Sequence, residues 1–528
     1  MRIVLLDGYI DEPSRLGVPP YISPELRSIA GAIKLAGFDY EYLSIDDWRR
    51  GIWPKGDLLI VLHGALVPGR YLLTYPASKK ELVEIAKNFR GKKILAGSTA
   101  RFHYFKEIEK FYDFVAVGDS SAYIYDLLMY GQAEGRRMSI KEWSSFLLEG
   151  ADIVLRREDF PDGVVVEIET SIGCPRYFVG GCSFCTEPLY GEVRFRDEED
   201  IIQEVKKLVS LGAKFFRIGG QSCIVSYKGF GIGKKEIVEP NVGAIKNLFE
   251  GLRSIKGIEV LHVDNANPAV IANYEEKSRK ILEIIAENCT SGNVLALGME
   301  SADPEVIKKN NLNSTPEEVM KSVEIINEIG SDIGENGLPK MLPGINFLGG
   351  LDGESKRTYQ LNMKFLMEVE EKNLLLRRIN VRKVAPTRRK FRIKYEEEFK
   401  KFRRFVREYE KRMLKRILPV GSVLRNVRTE IWKGTATYAR QMGSYPIIVV
   451  IPDKVPLKKF IDVKIYAHAE RSVRAIPYPL NINEASTTLL KKIPGMNKYL
   501  LEVLNRRPFS RSEELVFLPE EVRNWLTT

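Results

Sequence analysis

Cysteine is scarce in this chain: 5 among 528 residues, and none before Cys174. No export signal accompanies them, because MRIVLLDGYI runs straight into polar, proline-rich sequence without a cleavage pattern. Thiols in that setting stay reduced, which excludes a disulfide framework and points to metal binding in a cytoplasmic protein. Long hydrophobic runs are absent too. No stretch approaches the roughly 18 to 20 apolar residues that cross a bilayer, so no membrane partner is expected. Internal repeats and low-complexity tracts are also missing, which excludes solenoids and disordered arrays.

What remains is an ordinary globular composition, 44% hydrophobic and 29% charged, in a chain too long for one core. The net charge of +11 is unevenly placed. Residues 1–150 carry 20 Lys+Arg against 19 Asp+Glu, residues 151–376 carry 26 against 36, and residues 377–528 carry 35 against 15. A basic final third on a neutral-to-acidic body suits a polyanionic partner, although a solvated basic face would look the same.

Residues 1–150 alternate apolar runs (Arg2–Leu6, Leu58–Leu62, Lys93–Ala96, Phe114–Val117) with helical stretches such as Pro24–Ala36 and Lys79–Phe89. That rhythm predicts a doubly wound α/β domain, with ligands expected near Asp7, His63, Gly97 and Gly118 at the strand ends. Residues 151–395 repeat it: a strand at 164–170, then Phe215–Ile218, Ile258–Val263, Asn293–Leu297, Met341–Phe347 and Arg377–Val384, each separated by a helix. Six such units predict a partial (β/α)6 TIM-like barrel with its chemistry on the loops after the strands. A charged connector helix follows at 396–417, with Phe399, Phe402, Val406, Tyr409 and Met413 as an apolar stripe. Short alternating strands over 418–475 predict a small β-barrel, and 476–528 reads as a helical hairpin domain in which Asn483 and Ser510 look like helix caps.

ETSIGCPRYFVGGCSFCTEP places Cys174, Cys182 and Cys185 within twelve residues, directly after a strand. Three thiolates in one loop repel one another unless a cation shares their charge. A zinc site would need a fourth ligand from a distance, Cys223 or Cys289. An iron–sulfur cubane held by three cysteines leaves one iron open to a chelating ligand.

The segment resembles the radical S-adenosylmethionine (radical SAM) superfamily, whose cluster motif is C-x3-C-x2-C with an aromatic before the last cysteine. Phe184 fills that aromatic position, while seven residues rather than three separate Cys174 from Cys182. FRIGGQS resembles the glycine-rich end of the second strand, ALGMESADPEVIKKNN the fourth-strand segment, PGINFLGGLDGES the fifth and NVRKVAP the sixth. The resemblance implies a [4Fe-4S] cluster on Cys174, Cys182 and Cys185, and S-adenosylmethionine held by Phe184, Gly219, Gly220, Gln221, Glu300 and Ser301. It further implies reductive cleavage of S-adenosylmethionine to methionine and a hydrogen-abstracting 5′-deoxyadenosyl radical, with electrons from a reductant protein. Cys223 follows the second-strand motif and is a candidate hydrogen donor, although a small buried residue is the plainer reading.

The flanks narrow the class. The first domain resembles a cobalamin-binding domain, yet neither LLIVLHGAL nor ARFHYF supplies that family's D-x-H-x-x-G, so a scaffold or substrate clamp is expected. Methylthiotransferases carry a second cluster in their first domain, and the lack of cysteine there argues against sulfur insertion. GSVLRNVRTEIWKGTATYARQMGSYPIIVVIP resembles a TRAM domain, which implies RNA contacts through Arg425, Arg428, Lys433, Tyr438 and Arg440. IPGMNK resembles a helix-hairpin-helix turn, with Lys498 near a phosphate. Together these resemble the radical enzyme of archaeosine synthesis. That family implies a tRNA substrate whose 7-deazaguanine carries lysine, cleavage of a lysine C–N bond, and a partner transferase that attaches the lysine. Another radical RNA methylase or methylthiotransferase, or a non-enzymatic zinc-containing nucleic-acid-binding protein, remains the alternative.

Overall fold

The computed structural model describes residues 1–10, 22–64 and 74–528. The proline-rich stretch that follows the first strand lies outside them. Five parallel strands form the first sheet: β1 (Ile3–Asp7), β2 (Tyr40–Ser44), β3 (Leu58–Leu62), β4 (Lys92–Ala96) and β5 (Phe114–Val115), in the order β2-β1-β3-β4-β5. β1 and β3 are buried throughout because helices cover both faces. The helix Pro24–Leu35 starts on Ser23, whose hydroxyl accepts the Glu25 amide, and Pro24 occupies the first turn where no donor is needed. It crosses the helix Ile140–Glu149 at backbone contact. A Cβ on Gly31 would lie 1.9 Å from the Phe146 carbonyl oxygen.

The barrel follows. Its strands are β6 (Val166–Ile168), β9 (Phe215–Ile218), β10 (Val260–Val263), β11 (Asn293–Glu300), β12 (Met341–Gly349) and β13 (Arg378–Lys383). Two short strands, β7 (Ser171–Ile172) and β8 (Arg194–Phe195), pair outside it. Parallel sheets β10-β9-β6 and β11-β12-β13 meet at the Ala266–Leu297 bridge, giving six parallel strands in chain order. The strand expected over 164–170 is only three residues long, because the chain breaks at Glu169–Thr170 to enter the cysteine loop. β11 instead runs on through Gly298 and a bulge to Glu300.

A buried triad locks the first domain over the barrel mouth. Arg27 donates to Glu204 at 2.7 Å, Arg196 donates to the same carboxylate at 2.6 Å, and both guanidiniums also reach carbonyls of the β6 end, Glu167 and Glu169. Burial at Glu204 costs hydration, and two guanidiniums more than offset it, holding the carboxyl below its usual range.

The helix Glu396–Ile417 buries Phe399, Phe402, Val406, Tyr409 and Met413 against the barrel. Beyond it, β14 (Val423–Lys433), β15 (Ala436–Gln441), β16 (Ile448–Ile451), β17 (Phe460–His468) and β18 (Ser472–Pro477) close a five-stranded barrel in the order β14-β15-β16-β18-β17. Asn483 and Ser510 cap no helix: Asn483 instead exchanges hydrogen bonds with the Phe509 backbone, and the helices there start on Ser486 and Arg511.

The loop between β15 and β16 plugs the strand-start end of the partial barrel. Met442 packs on Val165, Phe215 and Val260, the Ser444 amide donates to His262 Nδ1 at 2.9 Å, and the Tyr445 hydroxyl donates to Asp264. Gly443 adopts φ +140, and a Cβ there would lie 2.5 Å from the His262 ring. Gly443→Ala is therefore expected to cost about 1–3 kcal/mol and to lower the thermal midpoint. Gly243→Ala, in a helix with only ordinary contacts, should leave the midpoint unchanged; equal midpoints for the two variants would contradict the plug.

Candidate functional site

The pairing of β7 with β8 brackets residues 173–193 as a loop standing over the strand ends. Within it, the long first gap of the cysteine cluster has a structural explanation. After Cys174 the chain makes one 3-10 turn, Tyr177–Val179, and two left-handed glycines, Gly180 and Gly181, bring it back to Cys182. The Cys185 amide then donates to the Cys182 carbonyl at 3.1 Å, closing a tight turn between the last two cysteines.

Groups from distant segments clamp this loop. Arg176 donates to the Asn311 carbonyl at 2.9 Å and approaches Cys182 Sγ at 3.5 Å. Asn311 returns two bonds, to the carbonyls of Val179 and Gly181. Ser183 bonds Asn310 through both amide and hydroxyl, and Arg388 donates to the Gly180 and Cys182 carbonyls at 2.7 and 3.0 Å. None of these clamping residues was singled out from the sequence. Asn310 and Asn311 end the fourth-strand motif and Arg388 lies just past the sixth-strand motif, which is the only signal that pointed toward them.

All three thiols sit in a setting that disfavours thiolate. Burial pushes Cys174 up to about 11 and raises Cys182 and Cys185, and the charge of Cys182 adds to the rise at the other two. Among the described residues no three His, Cys, Asp or Glu groups converge tightly enough to ligate a single ion. Cys223 packs in the main core and accepts the Asn267 amide at 3.2 Å, and the hydroxyl of its neighbour Ser222 donates to the Gly173 carbonyl at 3.0 Å, beside the cysteine loop. Cys289 ends the helix Glu275–Asn288, and neither it nor Cys223 figures among the charges that the three loop thiols feel.

The structure brings most of the expected cofactor residues to the same end of the barrel. Phe184 lies with Leu348, Leu351 and Val384, from the fifth and sixth strand ends. Gly219 and Gly220 follow β9; a Cβ on Gly219 would meet Glu167 Oε1 at 2.1 Å, and Gly220 has φ +80. Glu300 closes β11 with φ +62, an uncommon conformation for a side chain of its length. Burial alone pushes its carboxyl up to about 8, and its charge in turn raises Cys182. Two residues are more structural than expected. The Gln221 amide nitrogen bonds the carbonyls of Ile218 and Asp264, and the Ser301 hydroxyl accepts the Asp303 amide at 3.1 Å. Gln221 Oε1 nonetheless stays buried without a partner.

Between this mouth and the first domain lies a cavity of about 160 Å³, lined by Glu25, Glu167, Glu169, Glu187, Arg101 and Gly220 among others. Its carboxylates outnumber its cations. Burial, reinforced by Glu25, pushes Glu169 up to about 8, and burial pushes Glu187 up to about 7. Inside the barrel the charge chain continues from Glu167 through Arg217 to Asp264 and the hydroxyl of Tyr445.

The basic barrel surface needs correction. Arg428 and Arg440 face inward, not toward nucleic acid: Glu430 sits between them at 2.8 and 3.0 Å, and all three side chains are almost fully buried. Arg425 is exposed but paired with Asp462 at 3.0 Å, whereas Lys433, over the Tyr438 ring, and Lys498 stay exposed. Trp432 is also exposed beside Lys454, an aromatic that the sequence reading passed over.

Residues 168–357 match the Radical SAM superfamily, so the centre of the chain is a radical SAM domain. Its cofactors are those of that family, a [4Fe-4S] cluster and S-adenosylmethionine. The whole chain belongs to one family with the uncharacterized protein MJ0274 of Methanocaldococcus jannaschii, 44% identical over 504 residues covering 89% of this chain and 92% of that one. It is also similar to the tRNA-2-methylthio-N(6)-dimethylallyladenosine synthase of Clostridium botulinum, 24% identical over 250 residues, 47% of this chain and 48% of that one. Among solved structures, the radical S-adenosylmethionine methyltransferase TsrM of Kitasatospora setae matches 72% of this chain and 74% of its own, with a TM-score of 0.48 and 12% identity.

Because Arg388 holds two carbonyls of the cysteine loop, Arg388→Ala is expected to weaken iron retention roughly tenfold while far-UV circular dichroism stays unchanged. Iron per chain after desalting checks this. Retention equal to that of Lys390→Ala, on the same segment, would contradict the clamp.

Proposed function

We propose that this protein is a radical SAM enzyme of tRNA modification that cleaves a lysine C–N bond of lysine-modified 7-deazaguanine, forming archaeosine. The observation that carries the reading is the acidic cavity beside Gly220 and the cysteine loop, because a lysine amine is the cation that such a cavity suits. Similarity to a tRNA-modifying synthase and the basic final third, with its exposed Trp432 and Lys433 and half-buried Tyr438, support an RNA substrate.

The donor set fits the cofactors. Cys174, Cys182 and Cys185 would hold the cluster, whose iron charge offsets the burial of three thiolates. Arg176 sits beside Cys182 Sγ and favours extra electron density on that sulfur. Phe184, the Gly219–Gly220 backbone and Glu300 would hold S-adenosylmethionine, where a side chain at Gly219 would collide with Glu167. When bound, the two cofactors together supply a hydrogen-abstracting 5′-deoxyadenosyl radical. The first domain roofs the cavity and the Tyr445 plug closes the far end, so water is kept from the reacting carbon. Glu169, pushed up to about 8, and Glu187, pushed up to about 7, are partly protonated at neutral pH while the cavity is empty; they give up those protons as a lysine amine enters and so hold it by charge.

Mass spectrometry of tRNA nucleosides from a strain lacking this protein tests the reading. Accumulation of a lysine-bearing 7-deazaguanine, with loss of archaeosine, is the expected result. An unchanged nucleoside profile would contradict it. Loss of a methylated or methylthiolated base instead would move the assignment to the alternative RNA modification.

A further inference from the structure

A second and larger cavity, about 440 Å³, lies at the carboxyl ends of β1 and β2, where the first domain meets the linker at 156–159 and the C-terminal barrel. Ligands of doubly wound sheets bind outside the strand ends. Neither the cysteine loop nor the acidic cavity shares a residue with it.

Five cations and four carboxylates line this cavity, and the cations are unequally paired. Asp46 accepts from Tyr9, Thr74 and Arg49, Asp47 from Ser44 and Arg50, Glu158 from Arg50, and Asp159 from Arg157. Every lining carboxylate is thus engaged. Two cations are left over, and Arg157, though paired with Asp159, keeps a donor idle. It is nine-tenths buried, and its Nη1 has no hydrogen-bond partner among the described residues and stands 3.9 Å from Asp7. Arg156 and Lys458, both exposed, line the same cavity from the linker and from the loop before β17, and among the described residues no hydrogen bond or ion pair engages either side chain. A buried guanidinium with an idle donor costs free energy unless an acceptor reaches it. The walls add two aromatic rings, Tyr9 and Tyr42.

We infer that this junction binds a phosphate ester, held by Arg157, Arg156 and Lys458. A phosphate offers several acceptor oxygens to cationic donors that line one cavity, and the volume leaves room for an attached nucleoside against the tyrosines. The phosphate comes either from a free mononucleotide or from an RNA backbone crossing from the C-terminal barrel. The site stands apart from the radical chemistry, so it is testable on protein without iron.

Calorimetric titration of the full chain with AMP, and fluorescence anisotropy with a single-stranded oligoribonucleotide, read it directly. Saturable binding of either is expected, displaced by inorganic phosphate and weakened at least about tenfold in Arg156→Gln and in Lys458→Gln. Lys364→Gln, on the outside of the radical SAM domain, should bind as wild type. Arg157 is left intact because its loss would strand Asp7 and Asp159. Binding of AMP identifies a nucleotide site, and binding of the oligonucleotide alone identifies an RNA phosphate. Absence of saturable binding by both, failure of inorganic phosphate to compete, or variants that bind as wild type would overturn the inference.

Discussion

Acidic groups buried with too few cations to balance them govern the mouth of this barrel. Cys174, Cys182, Cys185, Glu169, Glu187 and Glu300 are all raised by burial, several of them by one another. In water each group would ionise near its ordinary value, whereas here the charged forms must be matched by something cationic. Irons on the sulfur side and a cationic substrate on the carboxylate side would balance the two halves separately. Arg176, Asn310, Asn311 and Arg388 fix the loop by hydrogen bonds between it and distant segments.

Closure of the barrel follows from two other polar locks. Arg27, Glu204 and Arg196 seat the first domain above the strand ends, and their guanidiniums also satisfy carbonyls of the broken β6 end. Below, the β15–β16 loop inserts Tyr445 between Asp264 and the Arg378 guanidinium, which lies 3.8 Å over its ring. The chain Glu167–Arg217–Asp264–Tyr445 then runs from the acidic cavity to the C-terminal barrel. The C-terminal barrel is in this way physically continuous with the floor of the partial barrel.

Much of this was legible in the sequence because it is local. The cysteine loop, the glycines after β9 and the acid ending β11 are short motifs, and buried parallel strands such as β3 and β12 are continuous apolar runs. β2 escaped notice because it lies at a sheet edge and reads YEYLS, half exposed and without an apolar run. Arg428 and Arg440 were misread for a different reason. Basic residues on a barrel strand look alike in sequence whether they face solvent or a neighbouring carboxylate, and Glu430 decides it only in three dimensions. The clamp by Arg388 spans more than 200 residues, so no pattern in the chain announces it.

The account rests on three thiols holding a cluster that cleaves S-adenosylmethionine. Anaerobic reconstitution, followed by reduction with S-adenosylmethionine and quantification of 5′-deoxyadenosine, measures that most directly. About four irons per chain and steady formation of 5′-deoxyadenosine are predicted for the wild type, with formation abolished in Cys182→Ala. Stoichiometric zinc in place of iron, or product formation undiminished in Cys182→Ala, would contradict it.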